Sequence, residues 1–160
     1  MHLNNDENLR DVIELLSIEG ITGQEKKIAY AVKDKLINYG VPKEYIFFDN
    51  ANKKIPLPTE TGNLIVKLPG TKTGDRVLFS THLDTVSLCK GAEPILVDNK
   101  IISNTETALG ADNRGGVGCL VNMLKYIFRN EIDYYPMTIL FTVREESGLW
   151  GARNISIEDL

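Results

Sequence analysis

Thiolate chemistry has little to work with in this sequence. Its 160 residues include two cysteines, Cys89 and Cys119, which stand far apart with no CxxC spacing, so neither a thiolate zinc site nor a disulfide framework is expected. They read as reduced thiols in a cytoplasmic protein. Basic runs are missing too: the net charge is −4, and no basic stripe offers a footprint for nucleic acid. No apolar stretch approaches the roughly 18 residues that span a membrane, and the polar opening MHLNNDENLR has no apolar core of a secretory signal. Repeats, low-complexity tracts and a second domain are all absent from the pattern. What remains is ordinary globular composition, 42% hydrophobic and 25% charged, with enough length to bury a core.

Periodicity supplies the elements. Apolar positions at Leu9, Val12, Ile13, Leu15 and Leu16 predict an amphipathic helix over residues 5–18. A second helix opens at TGQE, where Thr22 and Glu25 have capping-box spacing; its stripe runs through Ile28, Ala29, Val32, Leu36 and Ile37, and Gly40 ends it. YIFFD predicts a strand, and KKIPLPTETG a loop. NLIVKLPG and RVLFSTHL predict two strands joined as a hairpin by GTKTGD. PILVDNKII predicts a small hairpin turning at Asp98-Asn99. Residues 112–129 repeat with helical period, and MTILFTV reads as a central strand covered on both faces. The mixture predicts an α/β fold, a three-layer αβα sandwich around a mixed sheet.

Three corners carry the chemistry. His82 is one of two histidines and sits in STHLDTV; in an extended segment His82 and Asp84 share a side, which suits an imidazole ligand steadied by a carboxylate. The plain alternative is a surface pair. Asp112, in GADNRGGVG, stands at a helix mouth, where an ordinary N-cap is the commoner role. Gly115, Gly116 and Gly118 in the first turns predict close backbone packing against the sheet. Glu145 and Glu146, in TVREESGLWG, follow the most apolar strand; two adjacent carboxylates there call for a cation or a proton, unless they are a solvated loop pair. Taken together, hard oxygen ligands and one imidazole at strand ends suit Zn, Mn or Co.

In order and spacing, STHLDTV, ALGADNRGG and FTVREESGLWGARN resemble the motifs of the M20 family of metallopeptidases, especially its peptidase T-like (tripeptide aminopeptidase) branch. LLSIEGITGQEKKIAYAVKDKL is similar to that family's opening. The resemblance implies an M20 zinc-peptidase catalytic domain with two zinc ions, for which Co or Mn can substitute. It implies that His82 binds one zinc, that Asp84 orients His82, and that Asp112 bridges the ions. Glu146 would bind the second zinc, and Glu145 would act as general base toward the attacking water. It also implies a cis Asp112–Asn113 peptide and short peptides as substrates.

Two ligands of that family have no counterpart: an acidic residue shortly beyond the Glu-Glu pair and a histidine near the C-terminus. Glu158 and Asp159 lie in no matching context, and His2 reads as solvated. The expectation is therefore that residues 1–160 form the N-terminal portion of a catalytic domain, without the C-terminal part or the lid and dimerisation domain. Such a chain would be inactive alone and prone to associate, as a homodimer or otherwise, through exposed core surface. A carboxypeptidase, dipeptidase or amide-bond deacylase of the same family shares every motif; a non-catalytic interaction module derived from one is the remaining alternative.

Overall fold

A computed structural model describes residues 5–160, so His2 lies outside the described part. The order is α1 (Asn5–Ser17), α2 (Lys26–Asn38), β1 (Ile46–Phe48), α3 (Ala51–Lys54), β2 (Leu64–Leu68), β3 (Val77–His82), β4 (Pro94–Val97), β5 (Lys100–Ser103), α4 (Ala111–Arg129), β6 (Met137–Thr142) and α5 (Trp150–Arg153). Among the described residues no helix is long and apolar enough to cross a membrane.

The main sheet has the order β1-β2-β6-β3, with β2 antiparallel and β3 parallel to β6. β2 and β3 are thus not the hairpin that their short connector suggested. β6 is buried along its whole length, and the most apolar strand gains most from the central place. The connector instead crosses the end of β6. There the amides of Thr71 and Lys72 donate to the Tyr134 carbonyl, at 2.8 and 3.0 Å. Arg76 Nη1 donates to the carbonyls of Leu68 and Met137, at 3.0 and 2.9 Å. The second expected hairpin is present: β4 pairs antiparallel with β5, and Asp98 and Asn99 both take positive φ, 47° and 62°, as a two-residue turn of this hand requires.

Alternation divides the sheet into two faces. Leu64, Val66, Ile139 and Phe141 join one core with Leu15 of α1, Val32 and Leu36 of α2, and Val117, Val121 and Leu124 of α4. On the other face, Thr138 Oγ1 donates to the Leu160 carbonyl at 2.7 Å and Lys67 Nζ to the Glu158 carbonyl at 2.8 Å. The αβα layering is therefore full on the helical side, while on the other the contacts come from the final 3-10 turn and the last residue. β3 is left open: Val77 is 46% and Leu78 48% exposed.

The glycines of α4 serve different neighbours. A Cβ at Gly118 would lie 2.7 Å from Val12 of α1, and one at Gly116 would lie 2.9 Å from Thr81 of β3, while Gly115 faces open space. Close packing against the sheet therefore holds for Gly116 alone; Gly118 lets two helices approach.

Candidate metal centre

Because β3 and β6 run parallel, their carboxyl ends meet at one edge of the sheet, where sites in α/β proteins collect. His82 ends β3, the Glu145–Glu146 turn follows β6, and α4 delivers Asp112 from the side. His82 is 7% exposed. Its Nδ1 lies 3.0 Å from the Asp84 carbonyl and 3.5 Å from Asp84 Oδ1. A carbonyl only accepts, so Nδ1 carries a proton and Nε2 is the nitrogen turned to the site. Nε2 stands 3.1 Å from Asp112 Oδ1 and 3.8 Å from Glu145 Oε2. Burial alone would lower the imidazole pKa, but the Asp84 carboxylate and then Asp112 outweigh it and push the ring up to about 9.

Asp84 is wholly buried and does more than face the ring. Its Oδ2 accepts from the Thr22 hydroxyl at 2.8 Å and from the Glu146 amide at 3.1 Å, and its Oδ1 from the Glu145 amide at 2.9 Å. Burial would raise this carboxyl; His82 and the donated hydrogen bonds overcome that and hold it below its usual range.

Asp112 is not an N-cap. Gly110 occupies that position with φ 77°, and no side chain caps the helix. Asp112 and Asn113 have non-helical backbone angles, and the peptide between them is cis. Asn113 Oδ1 accepts from the Gly116 amide at 3.1 Å, which leaves the Asp112 carboxylate to face His82.

His82, Asp112 and Glu146 each offer a ligand atom, and all three atoms lie within 4.8 Å of one another. Burial raises the Glu146 carboxyl; His82 pulls it down, and the charges of Asp112, Glu145 and Asp84 push it up. One imidazole among crowded carboxylates is a donor set that a divalent cation fits, since it compensates the repulsion and accepts N and O ligands alike. The cluster thus gathers all five residues singled out in the sequence: Asp84 beneath His82, Glu145 beside it, and His82, Asp112 and Glu146 converging.

Other supports gave no sequence signal as site residues. Thr22 and Glu25 match a capping box, yet Glu25 makes no cap bond to α2 and the Thr22 hydroxyl is committed to Asp84. Arg114, 2% exposed, donates to the carbonyl of Leu83, the residue between His82 and Asp84, at 2.9 Å, and to those of Leu15 and Ile18 at 2.7 and 2.9 Å.

Comparison with known proteins places this geometry in a family context. The model of peptidase family M28 matches residues 63–159, a stretch that contains all three motifs. A solved tripeptidase from Staphylococcus aureus is similar at 30% identity with a TM-score of 0.89, over 99% of this chain and 41% of that one. The uncharacterized protein YqjE of Bacillus subtilis is 32% identical over 94% of this chain and 39% of its own length. Carboxypeptidase G2 of a Pseudomonas species is 29% identical over 94% of this chain and 35% of its own. The chain therefore spans well under half the length of these relatives.

Proposed function

The chain belongs to peptidase family M28, and from that premise we propose that it carries part of the active site of a zinc-dependent peptide hydrolase working as the M20-type tripeptidases do, on short peptides in the cytoplasm. The observation that carries the reading is the convergence of His82, Asp112 and Glu146 within 4.8 Å, with Glu145 alongside. The likeness to a tripeptidase at a TM-score of 0.89 supports the substrate class. The similarity to carboxypeptidase G2 favours a carboxypeptidase as the second reading.

In this mechanism His82, Asp112 and Glu146 would hold metal. Bound zinc supplies Lewis acidity to the scissile carbonyl and acidifies the attacking water. His82 would present Nε2 once that nitrogen gives up its proton, its ring turned by the hydrogen bond from Nδ1. Asp84 keeps the two glutamates in place by holding both of their amides. Glu145 Oε2, in a partly exposed side chain near His82 Nε2, takes the proton of the water and returns it to the leaving amine. Three ligands are too few for two zinc ions, each of which takes about four. On this reading further ligands come from residues beyond these three, and the 160-residue chain by itself would not turn over.

Zinc titration of the chain, with Asp112→Ala as control, tests the site. One weakly bound ion, lost in the variant, is the expected result; no zinc binding at all would overturn the metal reading. Hydrolysis assays on the full-length protein test the substrate: cleavage of tripeptides that need a free amino end is expected. Cleavage that needs a free carboxyl end would favour the carboxypeptidase.

A further inference from the structure

Four consecutive main-chain amides, Val143 to Glu146, are each held by a side-chain acceptor from a distant segment. Asn63 Oδ1 accepts from Val143 at 3.1 Å, Glu25 Oε1 from Arg144 at 3.1 Å, and the two Asp84 oxygens from Glu145 at 2.9 Å and Glu146 at 3.1 Å. Asp84 belongs to the metal centre. Asn63 also ties Asp49 to the Gly151 carbonyl, through Nδ2 bonds of 2.7 and 3.0 Å. Neither its helix nor the metal centre accounts for Glu25.

Glu25 is wholly buried. Its Oε1 takes a second hydrogen bond, from the Gly23 amide at 2.6 Å, while Oε2 has no partner. A buried carboxylate with an orphaned oxygen is costly, and such local costs are retained where a site needs the geometry they secure. The residue it holds is unusual as well. Arg144 has φ 52°, a left-handed conformation that a residue with a Cβ seldom adopts. Arg144 is also fixed through its side chain, Nε donating to Thr59 Oγ1 at 2.8 Å. The next two residues are Glu145 and Glu146.

We propose that Glu25 is a positioning residue for the glutamate turn: through one oxygen it clamps the loop at Gly23 to the backbone of Arg144, and so aims Glu145 and Glu146 at His82. The inference rests on the reading of that cluster as a metal site, but the clamp itself is testable without metal. Amide hydrogen exchange in the metal-free 160-residue chain reads it at Glu145 and Glu146, two amides that Glu25 does not touch. Glu25→Ala is expected to speed exchange there about tenfold relative to Ile139 in β6, the size that loss of a hydrogen bond to a charged acceptor implies. Glu25→Gln, which keeps the acceptor oxygen, is expected to restore protection. Should the alanine variant not fold, Glu25→Asp, withdrawn by one methylene, is compared with Glu25→Gln in the same way. Equal acceleration at Ile139, no acceleration at the glutamates, or failure of Gln to rescue would overturn the proposal.

Visible absorption of bound cobalt separates the two readings. A cobalt band in the unsubstituted chain, altered in the alanine variant and restored by Gln, agrees with the clamp acting on the ligands. A band identical in all the variants would overturn that action. Absence of a band in the unsubstituted chain would defeat the metal reading, and the exchange comparison would still decide the clamp.

Discussion

His82 and Asp84 show how much two residues can fix. The ring is oriented by a carbonyl, and the carboxylate beneath it is spent on Thr22, Glu145 and Glu146. Asp84→Asn exchanges one acceptor for a donor facing these groups. We expect zinc affinity to fall about 10–100-fold and stability by about 1–3 kcal/mol, read by chelator competition and thermal melting. Proton and metal compete for Nε2. With the ring pKa raised from 6.5 to about 9, the pairing stabilises the metal-free chain below pH 6.5 and is lost as pH rises through about 9. Zinc needs the deprotonated nitrogen, so the rise in Tm that zinc produces should grow from about pH 6 to about pH 8. A Tm shift that is flat over that window would contradict ligation by His82. His82, Asp84, Glu145 and Glu146 drew notice in the sequence because they stood where apolar strands ended, and Asp112 because it stood at a helix mouth. Thr22 and Glu25 did not, because their spacing fitted a local cap while their partners lie on remote segments.

Helices, strands, the layered class and the central place of β6 were read well; the neighbours that β6 takes were not. The periods of α1, α2 and α4 were plain, but what joins them is a polar knot that periodicity ignores. Asp11, 4% exposed, accepts from Lys125 Nζ at 2.5 Å, Lys35 Nζ at 2.9 Å and the Tyr39 hydroxyl at 2.5 Å, one acceptor serving all three helices. Burial would raise the Asp11 carboxyl, yet these donors hold it below its usual value near 3.8. Its contribution is therefore present above that value and is lost as pH falls below it. Asp11→Ala strands the buried Lys125, while Lys35 keeps its pair with Glu14 at 2.8 Å, and should cost about 3–5 kcal/mol, measured by denaturant unfolding; a loss under about 1 kcal/mol would show that the knot contributes little. The misread hairpin has a similar cause. A short turn-rich connector usually joins neighbours, but the competition for the central position between β2 and β3 was won by a strand far along the chain.

At the scale of the molecule, one side of β3 has no cover. Val77 and Leu78 are large, apolar and about half exposed on an edge strand whose outer backbone groups are unpaired by the sheet, an arrangement that invites association. We expect the 160-residue chain to run as a dimer or larger by light scattering, and Leu78→Lys to return it to monomer. A monomeric unsubstituted chain would remove this expectation. Composition could not reveal which strand would be left at the rim, since that depends on pairing rather than on pattern.

The late position of β6 has a consequence for synthesis. Its partners precede it by a long interval, Val77 in β3 pairing with Met137 and Leu68 in β2 pairing with the same residue. Pairings of such high contact order form slowly, and a growing chain carries β2 and β3 with their facing edges open until β6 has left the ribosome. Those open edges are the sort of surface that chaperones shield. The strand that closes the gap also leads directly into Glu145 and Glu146, so these two carboxylates come to face His82 and Asp112 only as the sheet is completed.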